Sequence, residues 1–107
     1  MTTFDNREDA FENKFAHDAE LRFKAEARRN KLLGLWAAER MGLEGDAAKE
    51  YAATVVKADL EEPGEEDVYR KVKGDLDGKG VSVAEDELRG KMRELLAQAV
   101  QQIEDGV

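Results

Sequence analysis

The stretch Ser82-Val83-Ala84-Glu85-Asp86-Glu87-Leu88-Arg89-Gly90-Lys91-Met92-Arg93-Glu94-Leu95-Leu96-Ala97-Gln98-Ala99-Val100-Gln101-Gln102-Ile103 decides the fold. Leu88, Met92, Leu95, Leu96, Ala99, Val100 and Ile103 recur at three- and four-residue intervals, which places them on one face of an α-helix, while most of the residues between them are charged or carry amides. Ser82 and Glu85 have the spacing of a capping box, so the pattern predicts a helix that starts beside Ser82. One apolar stripe is not stable in water alone, and the rest of the chain must supply faces that cover it.

Working back from that helix, Gly78-Lys79-Gly80 marks a break. Before it, a short segment from about Gly64 carries Glu65, Glu66 and Asp67 at its positive dipole end and the stripe Val68, Val72 and Leu76. Pro63-Gly64 separates this from a second helix, with Asp46 as its expected N-cap and Ala48, Tyr51, Ala52, Val55, Val56 and Leu60 on one face. The first and longest segment runs from about Asp5 to Met41 and stops at Gly42. Within it, Asp18 and Glu20 precede Arg22 and Lys24 by four residues, the favourable order for helical ion pairs. Its expected core stripe is Leu21, Ala25, Leu32, Leu35 and Trp36, widened by Phe23, Ala37 and Met41, with Trp36 an anchor of the core. Ala, Leu, Glu, Lys and Arg dominate the chain and it has a single proline, so the fold class is all-α, a four-helix bundle joined by short loops.

The first segment exceeds the other helices in length, which leaves an N-terminal extension. Phe4, Phe11 and Phe15 lie on one helical face of it, but the next positions on that face are Asp18 and Arg22, so the stripe does not continue into the bundle. Three aromatics among polar residues bury too little to order the segment, and the division expected is a mobile arm over 1–18 and a helical bundle over 19–107. The arm must lie either on the rest of the chain or on another protein. In the second case Phe4, Phe11 and Phe15 are anchors for pockets and Arg7 and Lys14 pair with acidic rims.

Composition excludes several function classes. With 107 residues the chain suits one small domain, and a net charge of −8 argues against nucleic-acid binding, which needs clustered cations. The only basic concentration is Arg28-Arg29-Asn30-Lys31. It reads as a solvated face balanced by Glu20, Glu26 and Glu39, or as a docking patch of Arg28, Arg29 and Lys31 for an acidic protein surface. Without cysteine there is no disulfide framework, thiol nucleophile or cysteine-based zinc site. No apolar run approaches the ~20 residues that span a bilayer, and the N-terminus lacks a signal-peptide pattern, so the expectation is a soluble cytoplasmic protein without membrane insertion.

Chemical motifs fail individually. Asp75, Asp77 and Gly80 fit positions one, three and six of an EF-hand calcium loop, but Lys79 puts a cation at a ligand position and Asp86 is too short for the last one. Gly74, Gly78, Lys79 and Gly80 lack the spacing and the following hydroxyl of a phosphate loop. His17 is the only histidine, follows Lys14 rather than a glutamate by three residues, and reads as a surface group. The expectation is therefore a protein that is not an enzyme and holds no metal or cofactor. The alternative is a small helical protein that binds an ion or, weakly, a nucleotide.

Ala10-Phe11-Glu12-Asn13-Lys14-Phe15-Ala16-His17-Asp18, the run from Phe23 through Trp36 to Glu39, and Met41-Gly42-Leu43 resemble the alphaproteobacterial zeta subunit family, also catalogued as a domain of unknown function. The similarity extends over essentially the whole chain and is most specific in its first half. It implies a four-helix regulatory protein that binds the F1 sector of the F1FO-ATP synthase, peripheral to the inner membrane, and inhibits ATP hydrolysis. It further implies that an N-terminal segment, mobile when free, becomes helical on insertion between the catalytic α and β subunits near the γ shaft. On this chain that segment is about Thr2 to Asp18, and the remaining helices help to anchor it.

Overall fold

A computed structural model describes residues 19–106, and every regular element among them is an α-helix: α1 over Ala19–Arg40, α2 over Gly45–Glu61, α3 over Glu65–Gly78 and α4 over Glu85–Glu104. The all-α four-helix bundle is as the periodicity predicts. α1 is the hub, packing most extensively on α2, then on α4, with a smaller contact to α3. The arm over 1–18, with Phe4, Arg7, Phe11, Lys14, Phe15 and His17, lies outside the described residues.

The helix ends show why the chain turns where it does. Gly42 has φ 81°, Leu43 N–H donates to the Ala38 carbonyl at 2.8 Å and Gly42 N–H to the Glu39 carbonyl at 3.1 Å, a pairing that satisfies the last carbonyls of α1. The same arrangement closes α3 with Gly80 at φ 75°, where Val81 N–H reaches the Leu76 carbonyl. Two expected caps differ from the structure. α2 starts one residue before Asp46, with Glu44 at the N-cap, so Asp46 contributes its charge to the first turn and is not the cap. α4 starts at Glu85 after an extended Ala84 and no side-chain cap bond forms, so the Ser82–Glu85 capping box is absent. The reason is Val83, which is pulled into the core at 2% exposure and keeps the backbone around it extended; its carbonyl accepts from Lys73 Nζ.

One main core joins Leu33 and Ala37 of α1, Val55 of α2, Val68, Tyr69, Val72 and Leu76 of α3, Val83, and Leu88, Met92 and Leu95 of α4. A smaller cluster pairs Ala25 with Val100, flanked by Leu21, Leu96 and Ile103. The stripes predicted for α3 and α4 are buried as expected, and Tyr69 joins that of α3. Those of α1 and α2 are shifted. On α1 the fully buried residues are Leu33, Ala37, Ala38 and Asn30, while Leu32, Leu35 and Trp36 are half-buried on the flank and Phe23 is 56% exposed. On α2, Leu60 is 55% exposed and outside the core. The cause is Gly34: a Cβ placed there would lie 2.5 Å from the Ala52 Cα, so α1 and α2 meet through their smallest residues and the larger side chains fan out to either side.

Candidate functional site

The Arg28–Lys31 run does not form one surface. Arg28 is half-buried, Lys31 is exposed, and Arg29, at 3%, is turned into the bundle. Arg29 Nε donates to Asn30 Oδ1 at 2.8 Å, Asn30 Nδ2 donates to Asp59 Oδ2 at 2.8 Å, and the other Asp59 oxygen accepts from Gly64 N–H at 3.2 Å. Glu65 Oε1 stands 3.8 Å from the guanidinium. Burial pushes the Arg29 pKa below its ordinary value while Glu65, Asp59 and Glu26 oppose the shift, and an arginine so placed keeps its proton at neutral pH. This relay ties α1 to the end of α2 and to the loop before α3. It is a fastening, and sequence reading missed it because Asn30 looks like part of a polar surface run.

The acidic residues of the rejected calcium loop have other employment. Asp75 and Asp77 lie inside α3, so the stretch is helical through Gly78 where an ion-binding loop would have to curl. Asp75 accepts from Tyr51 Oη at 2.8 Å and from Lys71 Nζ at 3.0 Å, and Asp77 pairs with Lys73 at 3.4 Å. Burial and the bond to Asp75 drive the Tyr51 pKa far above the ordinary phenol value. Gly74 and Gly78 are likewise helical, which leaves no phosphate loop there. Among the described residues no group of three or more His, Asp or Glu could hold a metal ion.

Cations cap the bundle's aromatics. The Arg89 guanidinium lies 4.0 Å from the Tyr69 ring centroid and bonds Glu66 at 3.0 Å and Glu85 at 2.8 Å, joining the starts of α3 and α4. These bonds raise the Arg89 pKa and hold Glu66 below the usual carboxylate range. Trp36 packs on the edge of the core, with Arg40 at 5.3 Å and Lys91 at 5.9 Å over its ring.

Among the described residues, an open groove of about 420 Å³ lies between α1 and α2. Its floor is Leu35, Ala52, Ala53, Val56 and Leu60, and its rim is Lys31, Lys49 and Lys57. No helix among the described residues is long and apolar enough to cross a membrane.

No curated protein matches the chain. A protein whose structure was solved in solution by NMR is similar at 59% identity and a TM-score of 0.71, over 81% of this chain and 99% of that one. The family model described as ATPase inhibitor subunit zeta matches residues 1–102, which takes in the N-terminal segment and all but the end of α4. The chain belongs to the ATPase inhibitor subunit zeta family.

Proposed function

We propose that this chain inhibits ATP hydrolysis by the F1 sector of the F1FO-ATP synthase, and that its inhibitory element is the arm over 1–18. The observation that carries the reading is the extent of the family match, which includes residues 1–18 together with the bundle. In this account the arm enters a catalytic α/β interface near γ as a helix. Phe4, Phe11 and Phe15 fill apolar pockets, Arg7 and Lys14 meet acidic rims, and a wedge in that place obstructs rotary catalysis without any chemistry of its own. The bundle over 19–107 carries and anchors the arm, working in the cytoplasm at the membrane face where F1 projects.

Among the described residues the four apolar stripes close on one another, which supports this division of labour. Of the basic run, Lys31 is exposed and is the residue this reading assigns to an acidic partner, whereas Arg29 serves the fold. The test is ATP hydrolysis by F1 from the organism that supplies this sequence, with the full chain or the chain lacking residues 2–18 added. Inhibition by the first and none by the second is the expected result.

A further inference from the structure

α2 carries more apolar residues than the core absorbs. Ala52 and Val55 are buried against α1 and α3, but Ala53, Val56 and Leu60 turn away and, with Leu35 of α1, floor the open groove. Leu60, 55% exposed, is continuous with Ala53, Val56 and Leu35, and it is this contiguity, not one exposed leucine, that marks a contact surface. The rim gives the sign of that contact. In a chain of net charge −8, the groove is lined by three lysines and by no carboxylate. Lys57 has a long 3.9 Å pairing with Glu61, and Lys31 and Lys49 reach no carboxylate among the described residues.

We propose that the α1–α2 groove is a docking surface for an acidic amphipathic helix of a partner protein. The floor from Lys49 to Leu60 extends about 16 Å along α2, the length of roughly three turns of a helix laid into it. A stripe of apolar residues fits Leu35, Val56 and Leu60, and flanking Asp or Glu side chains meet Lys31 on one side and Lys49 and Lys57 on the other. A second copy that meets it through the same groove presents the same lysines and is repelled. The chain's own arm is joined at Ala19, about 18 Å along α1 from Lys31, and Phe15 stands only four residues before that junction, about 14 Å at full stretch. Phe15 therefore falls short of Leu35, about 24 Å along α1 from that junction.

The experiment is a titration of the 15N-labelled full chain with a 16-residue helical peptide bearing a leucine stripe flanked by glutamates, beside the same peptide flanked by lysines. The glutamate peptide shifts the amides of Leu35, Ala53, Val56 and Leu60, and this weakens with added salt. The lysine peptide leaves them in place. The triple variant K31E/K49E/K57E binds the glutamate peptide at least tenfold more weakly and accepts the lysine peptide, while the triple K→Q variant falls between the two. All of these positions are exposed, and amide dispersion checks the fold of each variant. Absent or equal responses to the two peptides overturn the proposal, as do shifts located elsewhere. Changes at these amides on deletion of residues 2–18 overturn it in favour of the arm, and changes on raising the concentration of the chain alone overturn it in favour of a second copy. The titration contains no F1, so its outcome is separate from that of the inhibition assay.

Discussion

Gly34 lies against Ala52 with no room for a side chain: a Cβ on Gly34 would stand 2.5 Å from the Ala52 Cα, 3.0 Å from its Cβ and 3.3 Å from Val55 Cγ2. The nearest atom is backbone, which no rotamer change can move. Gly34→Ala therefore pushes α1 and α2 apart, and the loss from overpacking, about 1–3 kcal/mol, exceeds the ~1 kcal/mol that alanine gains over glycine inside a helix. Gly74 of α3 has nothing within 4 Å, so Gly74→Ala gains the same propensity without the clash. Thermal melts are expected to move in opposite directions, down for Gly34→Ala and up by a few degrees for Gly74→Ala.

Asn30 is fully buried and bridges a buried guanidinium to Asp59. Asn30→Ala removes the acceptor of Arg29 Nε and the donor to Asp59 together, and leaves a charge inside the bundle with its best partner gone. A loss on the order of 3 kcal/mol is expected in denaturant unfolding. The double variant Arg29→Met/Asn30→Leu, which removes the buried charge as well, should recover much of that loss.

Tyr51 gives the bundle an alkaline limit. Its phenol is held protonated by burial and by its bond to Asp75, with Lys71 Nζ 5.4 Å from its ring. The folded pKa lies above the unfolded value of about 10, so the folded state retains a proton that the unfolded chain releases. This contribution is complete below pH ~10 and declines as the pH rises above that value. Unfolding free energies at pH 8 and pH 11 should fall more steeply for the wild type than for Tyr51→Phe, and equal slopes would remove Tyr51 as the cause.

The sequence made α3 and α4 legible because Val68, Val72, Leu76, Leu88, Met92 and Leu95 are both large and buried, so hydrophobicity and burial coincide. On α1 the two diverge. Close approach of two helices selects small residues, so Gly34, Ala37 and Ala38 hold the contact face, and the buried Asn30 and Arg29 look like solvent-facing groups until Asp59, 29 residues after Asn30, is brought beside them. Ser82 carried the local signature of a cap, but burial of Val83 outweighed it. Leu60 matched the α2 stripe yet is 55% exposed, on the side of α2 that floors the groove. The family could be read from the first half of the chain because its short motifs are specific. The rim of the groove could not, since Lys31 joins Lys49 and Lys57 only after α1 and α2 pack.

Under the proposed function the arm's aromatics inhibit F1 while the bundle folds without them. The most direct test is an inhibition titration of F1 ATP hydrolysis with the double variant Phe11→Ala/Phe15→Ala, beside a denaturant melt of the same protein. Truncating an aromatic anchor at an interface typically loses about 2 kcal/mol or more, roughly thirtyfold in affinity for each residue if the two act independently. Inhibition weakened by at least that factor, with an unfolding midpoint close to wild type, is the expected result. Full inhibition with a normal midpoint, or a loss of stability matching the loss of inhibition, would contradict it.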